Sequence, residues 1–183
     1  ASTNEAQENV ARDIAIQIVD FLTTGAINNA VNFPSLDPAT AEKLKPYLAL
    51  ADSIGAAHGQ LLDGQIASVT VKYSGQVSEM NTKPITNALI KGLLSVRESA
   101  EINMVNALVF AGEMGINVTE SVSNENRDFS SLIAVDVSSD TEHRVIEGTI
   151  FGKDEGRFVK IDDYFIEARP SKYMLIFSNK DEP

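Results

Sequence analysis

The sequence predicts an α+β fold of two layers, in which a mixed, mostly antiparallel sheet carries helices packed on one face, preceded by an isolated N-terminal helix. Two observations predict it. Up to about residue 115, apolar residues recur mainly at three- and four-residue spacing, which is typical of amphipathic helices. From residue 116 onward, short β-branched stretches alternate with turn residues, which is typical of strands joined by hairpins. This order of elements favours helices layered on an antiparallel sheet.

Helix boundaries follow from caps, glycines and prolines. Asp37-Pro38 is a typical helix start with proline in the first turn, and Gly25 and Gly115 are typical stops. On this basis we predict helices at 4–24, 38–61, 83–97 and about 103–114. The stretch 24–38, rich in asparagine, glycine and proline, predicts an extended connector and a domain boundary.

Period-two alternation and turn residues locate the strands. We predict strands at 66–73, 116–122, 129–137, 145–151 and 157–161, with a four-residue hairpin loop at 153–156. The apolar run Tyr173 to Phe177 predicts one more strand. Because a lone strand cannot pair its backbone, we expect the C-terminus to have been cut from something larger.

Composition limits the functions that the chain can carry. Its 183 residues include 26 acids, 15 bases and no cysteine, so the net charge is −11. Disulfide scaffolds and cysteine metal sites are excluded, and an acidic chain repels nucleic acid and anionic lipid. With no apolar run long enough to span a bilayer and no leader-like N-terminus, we expect a cytoplasmic protein with no membrane or nucleic-acid partner.

Groups suited to catalysis are few. The two histidines, His58 and His143, lie far apart in the sequence, and we expect the first to be capped or partly buried and the second exposed. The pair Asp162 and Asp163 would point to opposite faces of a strand, which disfavours a metal site there. No dinucleotide fingerprint, phosphate loop or nucleophile elbow is present. The sequence therefore predicts no catalytic residue and no metal site, and favours binding over catalysis.

Basic residues are concentrated near the C-terminus. Six of the fifteen lie between residues 144 and 172: Arg144, Lys153, Arg157, Lys160, Arg169 and Lys172. Two interpretations stay open at this point. The residues form a solvated face of mixed charge, or strands bring Arg157 and Arg169 to one sheet end, where paired guanidinium groups would hold phosphate.

Several ordered segments carry a family resemblance across the whole chain: ASTNEAQENVA at 1–11, VNFPSLDP at 31–38, VKYSGQV at 71–77, VNALVFAGEMGINV at 105–118, EGTIFG at 147–152 and YMLIFSNKDEP at 173–183. Together they resemble the C-terminal portion of the long-form D-3-phosphoglycerate dehydrogenases. The resemblance implies that residues 1–30 are the last helix and connector of a catalytic part. Residues 31–170 would be the intervening, allosteric-substrate-binding domain, and 171–183 the first strand of a truncated regulatory ACT domain.

The family resemblance also implies a function. The parent would be an NAD-dependent oxidoreductase of serine biosynthesis, oxidising 3-phosphoglycerate to 3-phosphohydroxypyruvate. Its nucleotide-binding and catalytic residues would lie upstream of Ala1. The chain by itself would hold no cofactor and would not be an enzyme. It would act as a regulatory domain that couples an anionic phospho-metabolite to domain orientation, within a homo-oligomer. The alternative is a structural spacer and subunit-contact domain without a ligand.

The resemblance assigns candidate site residues as well. The family's anion site matches Arg157 and Arg169, with Lys153, Lys160 and Lys172 as further candidates. Two other positions, basic in some members, are Tyr164 and Phe165 here. Asn179 and Asp181 match serine-contacting positions of the ACT domain, of which only a remnant is present.

Overall fold

The helices lie mainly in the first part of the chain and the strands mainly in the last part, in a computed structural model that describes residues 4–24, 38–123 and 129–177. Within these ranges the helices are α1 (Asn4–Thr24), α2 (Pro38–Leu61), α3 (Lys83–Ser95) and α4 (Ala107–Glu113), with a 3₁₀ turn at Gln76–Glu79. The strands are β1 (Ile66–Gly75), β2 (Asn117–Ser123), β3 (Ser131–Ser139), β4 (His143–Phe151), β5 (Glu155–Ile161) and β6 (Tyr164–Ala168).

The strands form a six-stranded sheet in the order β2-β1-β3-β4-β5-β6. Strands β1 and β2 are parallel, and the remaining neighbours are antiparallel. The register aligns Val71, Val135 and Ile146 across the middle of the sheet, and all three are fully buried. The predicted mixed, mostly antiparallel sheet is therefore confirmed.

Helices α2 and α3 cover one face of this sheet and enclose the core. Ile54 of α2 and Leu89 and Leu93 of α3 are at most 1% exposed. The two helices approach so closely that a Cβ atom on Gly55 would overlap the Leu89 carbonyl oxygen, and one on Gly92 would overlap that of Asp52. Close helix contact of this kind requires glycine, because any side chain would separate the backbones. The predicted layer of helices on one face is confirmed.

Helix α1 differs from the other helices in its exposure. Val10, Ile14 and Ile18 follow the predicted helical spacing, yet each is at least half exposed. The helix therefore buries no apolar stripe within the described part of the chain, as expected for an isolated N-terminal helix. The connector predicted at 24–38 lies almost wholly outside the described residues.

The start of α4 differs from the prediction. The helix begins at Ala107 and not near Asn103. The Oδ1 atom of Asn103 accepts from the backbone N–H groups of Val105 and Asn106, at 2.9 and 3.1 Å. Because these side-chain bonds offer the backbone an alternative to helical bonds, residues 103–106 form a turn.

Three predictions in the C-terminal part were wrong in detail. Glu155 already belongs to β5, so the hairpin loop is 152–154. Strand β6 was missed, and Asp162 lies in the turn before it with φ 51°. The apolar run 173–177 forms no strand, since the backbone there is irregular. Its assignment to a regulatory domain stays a prediction.

No helix within the described ranges is long and apolar enough to cross a bilayer.

Candidate functional site

Arg157 and Arg169 meet at the end of the β5–β6 hairpin. At the open end of this antiparallel hairpin, Phe158 pairs with Ala168. One residue further from the turn, the same register places Arg157 opposite Arg169. Residues opposite one another in an antiparallel pair share a face of the sheet. The predicted convergence of two arginines at one sheet end is therefore present.

A carboxylate neutralises the repulsion between these two guanidinium groups. One oxygen of Glu155 lies 2.8 Å from an Arg157 nitrogen, and the other lies 3.6 Å from an Arg169 nitrogen. Glu167 pairs with the second Arg157 nitrogen. The hydrogen bond from Arg157 and the two positive charges hold the pKa of the Glu155 carboxyl below its usual range, and the bond to Glu155 raises the pKa of Arg157. Both arginines thus bind one shared anion, which is supplied by the chain itself.

Aromatic rings fix the Arg157 side chain further. Its guanidinium carbon lies 4.9 Å from the centre of the Phe151 ring. Phe151 in turn meets Phe129 edge to face, with ring centres 6.3 Å apart. Stacking on an aromatic face restricts the guanidinium plane while leaving its N–H donors available in that plane. Phe151 and the two glutamates together therefore fix the orientation of the Arg157 guanidinium group.

The other predicted basic residues lie elsewhere. Lys153 is exposed in the hairpin loop. Lys160 lies 5.7 Å from the centre of the Phe165 ring, and Lys172 lies 5.4 Å from that of Tyr173. The candidate serine-contacting residues Asn179 and Asp181 lie outside the described residues. The structure therefore brings together Arg157 and Arg169 and gives the three lysines separate surroundings.

Arg144, the first residue of the basic cluster, has a structural role. Its Nε donates to the Leu61 carbonyl oxygen at the end of α2, at 3.0 Å, and its guanidinium pairs with Asp162 at 2.9 Å. A cation at the carboxyl end of a helix stabilises the carbonyl groups that lack partners there. This arginine is committed to holding the helix on the sheet.

The two histidines differ in burial. His143 is exposed, as predicted. His58 is wholly buried, and neither ring nitrogen has a hydrogen-bond partner among the described residues. The prediction of a capped or partly buried side chain was therefore wrong. Burial lowers the pKa of His58 to about 4, so the ring is neutral at pH 7.

No group of three carboxylate or imidazole side chains within the described residues could hold a metal ion. Asp162 lies in a turn and not on a strand. Its carboxylate pairs with Arg144 and accepts a hydrogen bond from the Val145 N–H at 3.0 Å.

Sequence reasoning missed the acidic and aromatic members of the site. Glu155 could have been found, because it lies two positions before Arg157 on a strand and so shares its face. Glu167 and Phe151 depend on the registers of β6 and β4, which alternation alone does not give.

The fold and the paired arginines define the class of protein: a two-layer α+β domain whose charged site lies at one end of its sheet. A family model described as the D-3-phosphoglycerate dehydrogenase intervening domain matches residues 43–162. The chain belongs to this family of intervening domains.

Relatives from distant organisms agree with this assignment. Proteins named D-3-phosphoglycerate dehydrogenase from Synechocystis and Archaeoglobus fulgidus are each 39% identical over the whole chain. The matches cover 33% and 34% of those relatives. The human protein of the same name is 32% identical over 124 residues, which are 67% of this chain and 23% of the human one. The chain thus spans about a third of the length of the first two.

Proposed function

We propose that this chain is the intervening, regulatory part of a D-3-phosphoglycerate dehydrogenase and binds an anionic phospho-metabolite between Arg157 and Arg169. The parent enzyme would carry out NAD-dependent oxidation of 3-phosphoglycerate to 3-phosphohydroxypyruvate in serine biosynthesis. The chain would contribute neither NAD contacts nor catalytic groups. The names of its relatives and its family support the parent's activity.

One observation carries the proposed site: two opposed guanidinium groups share a single carboxylate. Glu155 occupies the position that an external phosphate would take, with one oxygen directed to each arginine. A phosphate offers more negative charge and more acceptor atoms than a carboxylate, and arginine pairs with it through two parallel bonds. Phosphate would therefore displace Glu155 and bridge the two arginines.

Displacement of Glu155 would couple binding to geometry. Arg157 is on β5, whereas Arg169 follows β6 and leads to the segment 170–177. A phosphate that pulls the two arginines together would favour one orientation of whatever follows this segment over another. In the parent enzyme this would transmit metabolite occupancy between domains.

Isothermal titration calorimetry with inorganic phosphate and with phosphohydroxypyruvate tests the site. We expect saturable binding in the millimolar range that disappears in the Arg157→Ala, Arg169→Ala double variant. Lys45→Ala, which removes an exposed cation from α2, is the matched control and should bind as the parent chain does. Absence of heat at millimolar ligand, or equal binding by the double variant, would refute the proposal.

A second candidate function is a spacer and subunit-contact domain. It is favoured by the internal neutralisation of Arg157 by two glutamates and by the exposed edge of β6, where Tyr164 and Phe165 are 71% and 83% exposed. Unpaired strand edges with apolar side chains promote association. Sedimentation would show a dimer insensitive to salt and to phosphate if this function holds, and a Phe165→Glu variant would dissociate it.

A further inference from the structure

A groove separates helix α2 from the segment that follows β6. Its volume is about 430 Å³, within the range of small-molecule sites. One wall is a single face of α2, where the small residues Ser53, Ala56 and Ala57 leave room, and the facing wall is residues 170–176.

Apolar side chains contribute about half of the inner surface of this groove, beside polar ones such as Gln60 and Ser171. Phe158, which is 1% exposed, contributes to it together with Leu61. Along the facing wall, Met174 and Ile176 line the groove and are 41% and 45% exposed, whereas the intervening Leu175 is 86% exposed. An apolar occupant would bury Met174 and Ile176, which the described chain leaves partly in water.

Two charged side chains of the described residues line the groove, Asp52 and Lys172. Asp52 lines the groove, but its carboxylate is paired with Lys91 at 3.1 Å. Lys172 also lines the groove, and no carboxylate among the described residues lies within ion-pair distance of its ammonium group. Within the described part of the chain, the rim therefore carries one cation without a carboxylate partner, Lys172, beside the apolar side chains of the groove.

We propose that this groove binds a small molecule with an apolar or aromatic body and one anionic group. The body packs against Phe158 and Met174, and the anionic group pairs with Lys172. The site is separate from the arginine pair, because Arg157 and Phe158 are consecutive in a strand and point to opposite faces of the sheet. An occupant would hold the segment 170–176 against α2.

The fluorescent sulfonate 8-anilinonaphthalene-1-sulfonate has this chemistry and serves as the probe. We expect one saturable site whose fluorescence enhancement is lost when Ala56→Leu fills the groove. Ser53→Leu, on the same helix face, is a second filling variant should the first perturb folding. Lys172→Gln should weaken binding about two- to fivefold, the range of an exposed ion pair. Lys153→Gln removes a lysine outside the groove and is the matched control.

Two further measurements make the outcome decisive. The uncharged analogue N-phenyl-1-naphthylamine should bind the Lys172→Gln variant and the parent chain equally, since it lacks the anionic group. The Arg157→Ala, Arg169→Ala variant should bind the sulfonate unchanged, so that failure of the phosphate site leaves this proposal standing. Sulfonate binding that survives both filling variants, or that is lost with the two arginines, would overturn it.

Discussion

The two faces of the sheet are held by different forces. Beneath α2 and α3, apolar side chains such as Ile54 and Leu89 are almost completely buried, and each such burial stabilises the fold by about 1.5–3 kcal/mol. On the opposite face, near β5 and β6, Arg157 is held by two carboxylates and an aromatic ring while remaining partly in water. Exposed ion pairs contribute only about 0–1 kcal/mol. Rearrangement of the charged end would therefore cost much less free energy of folding than disruption of the covered face.

The largest effect is expected where the covered face is most tightly packed. Gly55→Ala places a Cβ atom against the backbone of Leu89, which cannot move without displacing α3. We expect the free energy of unfolding to decrease by about 3 kcal/mol or more, which is the upper end of the range for overpacked cores. Urea denaturation measures it as a shift in the unfolding midpoint.

Gly112→Ala is the matched control for this prediction. Gly112 lies within α4, and a Cβ atom there would meet nothing within 4 Å. Since alanine is the better helix former, this variant should gain roughly 0.5–1 kcal/mol. Equal midpoints for the two variants would show that the contact between α2 and α3 is not a rigid one.

The next effect is a pH dependence of the covered face, caused by His58. Burial lowers its pKa from 6.5 to about 4 in the folded chain. The unfolded chain therefore binds a proton more readily. The neutral ring makes its full contribution to the free energy of unfolding above pH 6.5. That contribution decreases as the pH falls from 6.5 to about 4, and it does not change further below pH 4. Between pH 6.5 and pH 4, the loss in the free energy of unfolding caused by His58 is about 3 kcal/mol at most.

The free energy of unfolding, measured between pH 4 and 7, tests the role of His58. The apolar variant His58→Leu should lose this part of the pH dependence, and the difference between the two profiles isolates it from the carboxylates. His143→Gln removes the exposed histidine and should leave the profile unchanged. If His58→Leu follows the same curve as the parent chain, the buried ring does not titrate in this range.

A smaller effect on stability is expected from substituting two arginines, Arg144 and Arg157, whose side chains are equally exposed, at 29% each. Arg144 bonds the end of α2 and Asp162 in the turn before β6, whereas Arg157 pairs only with nearby glutamates. We expect Arg144→Ala to cost about 1–2 kcal/mol, because it removes the donor to the Leu61 carbonyl oxygen and to one oxygen of the Asp162 carboxylate. Arg157→Ala should destabilise the fold less than Arg144→Ala does but abolish phosphate binding. Chemical denaturation and phosphate titration of both variants check this, and the reverse order of stabilities would contradict it.

The sequence predicts the helices and the position of a strand such as β3 better than it predicts which strands pair and in which register. Periodicity located the helices at 38–61 and 83–95 closely, and the alternation in 129–137 located β3 to within two residues at each end. It did not reveal β6, because Tyr164–Ala168 is short and follows two aspartates whose turn geometry depends on Arg144. The run 173–177 shows the alternation of a strand, with Met174 and Ile176 toward α2, yet within the described residues it pairs with no other strand.

The same limit applies to the site. Arg157 and Arg169 could be nominated from charge density and from family resemblance. Glu167 lies across the hairpin, and Phe151 belongs to a different strand, so their contacts with Arg157 depend on tertiary pairing. Local pattern therefore identifies the cations of the site and not the groups that hold them.

The smallest effect on stability, and the sharpest test of the charged end, is expected from Glu155→Gln. The amide keeps the shape of the carboxylate and removes its charge, and because exposed ion pairs contribute little to stability, the free energy of unfolding should hardly change. If Glu155 competes with phosphate for the two arginines, its neutralisation should tighten phosphate binding in calorimetric titrations. Glu167→Gln is the matched comparison, because Glu167 pairs with Arg157 alone, and it should tighten binding less. Weaker phosphate binding by the Glu155→Gln variant would mean that the carboxylate aligns the arginines for the ligand, and the internal-competitor interpretation would then be wrong.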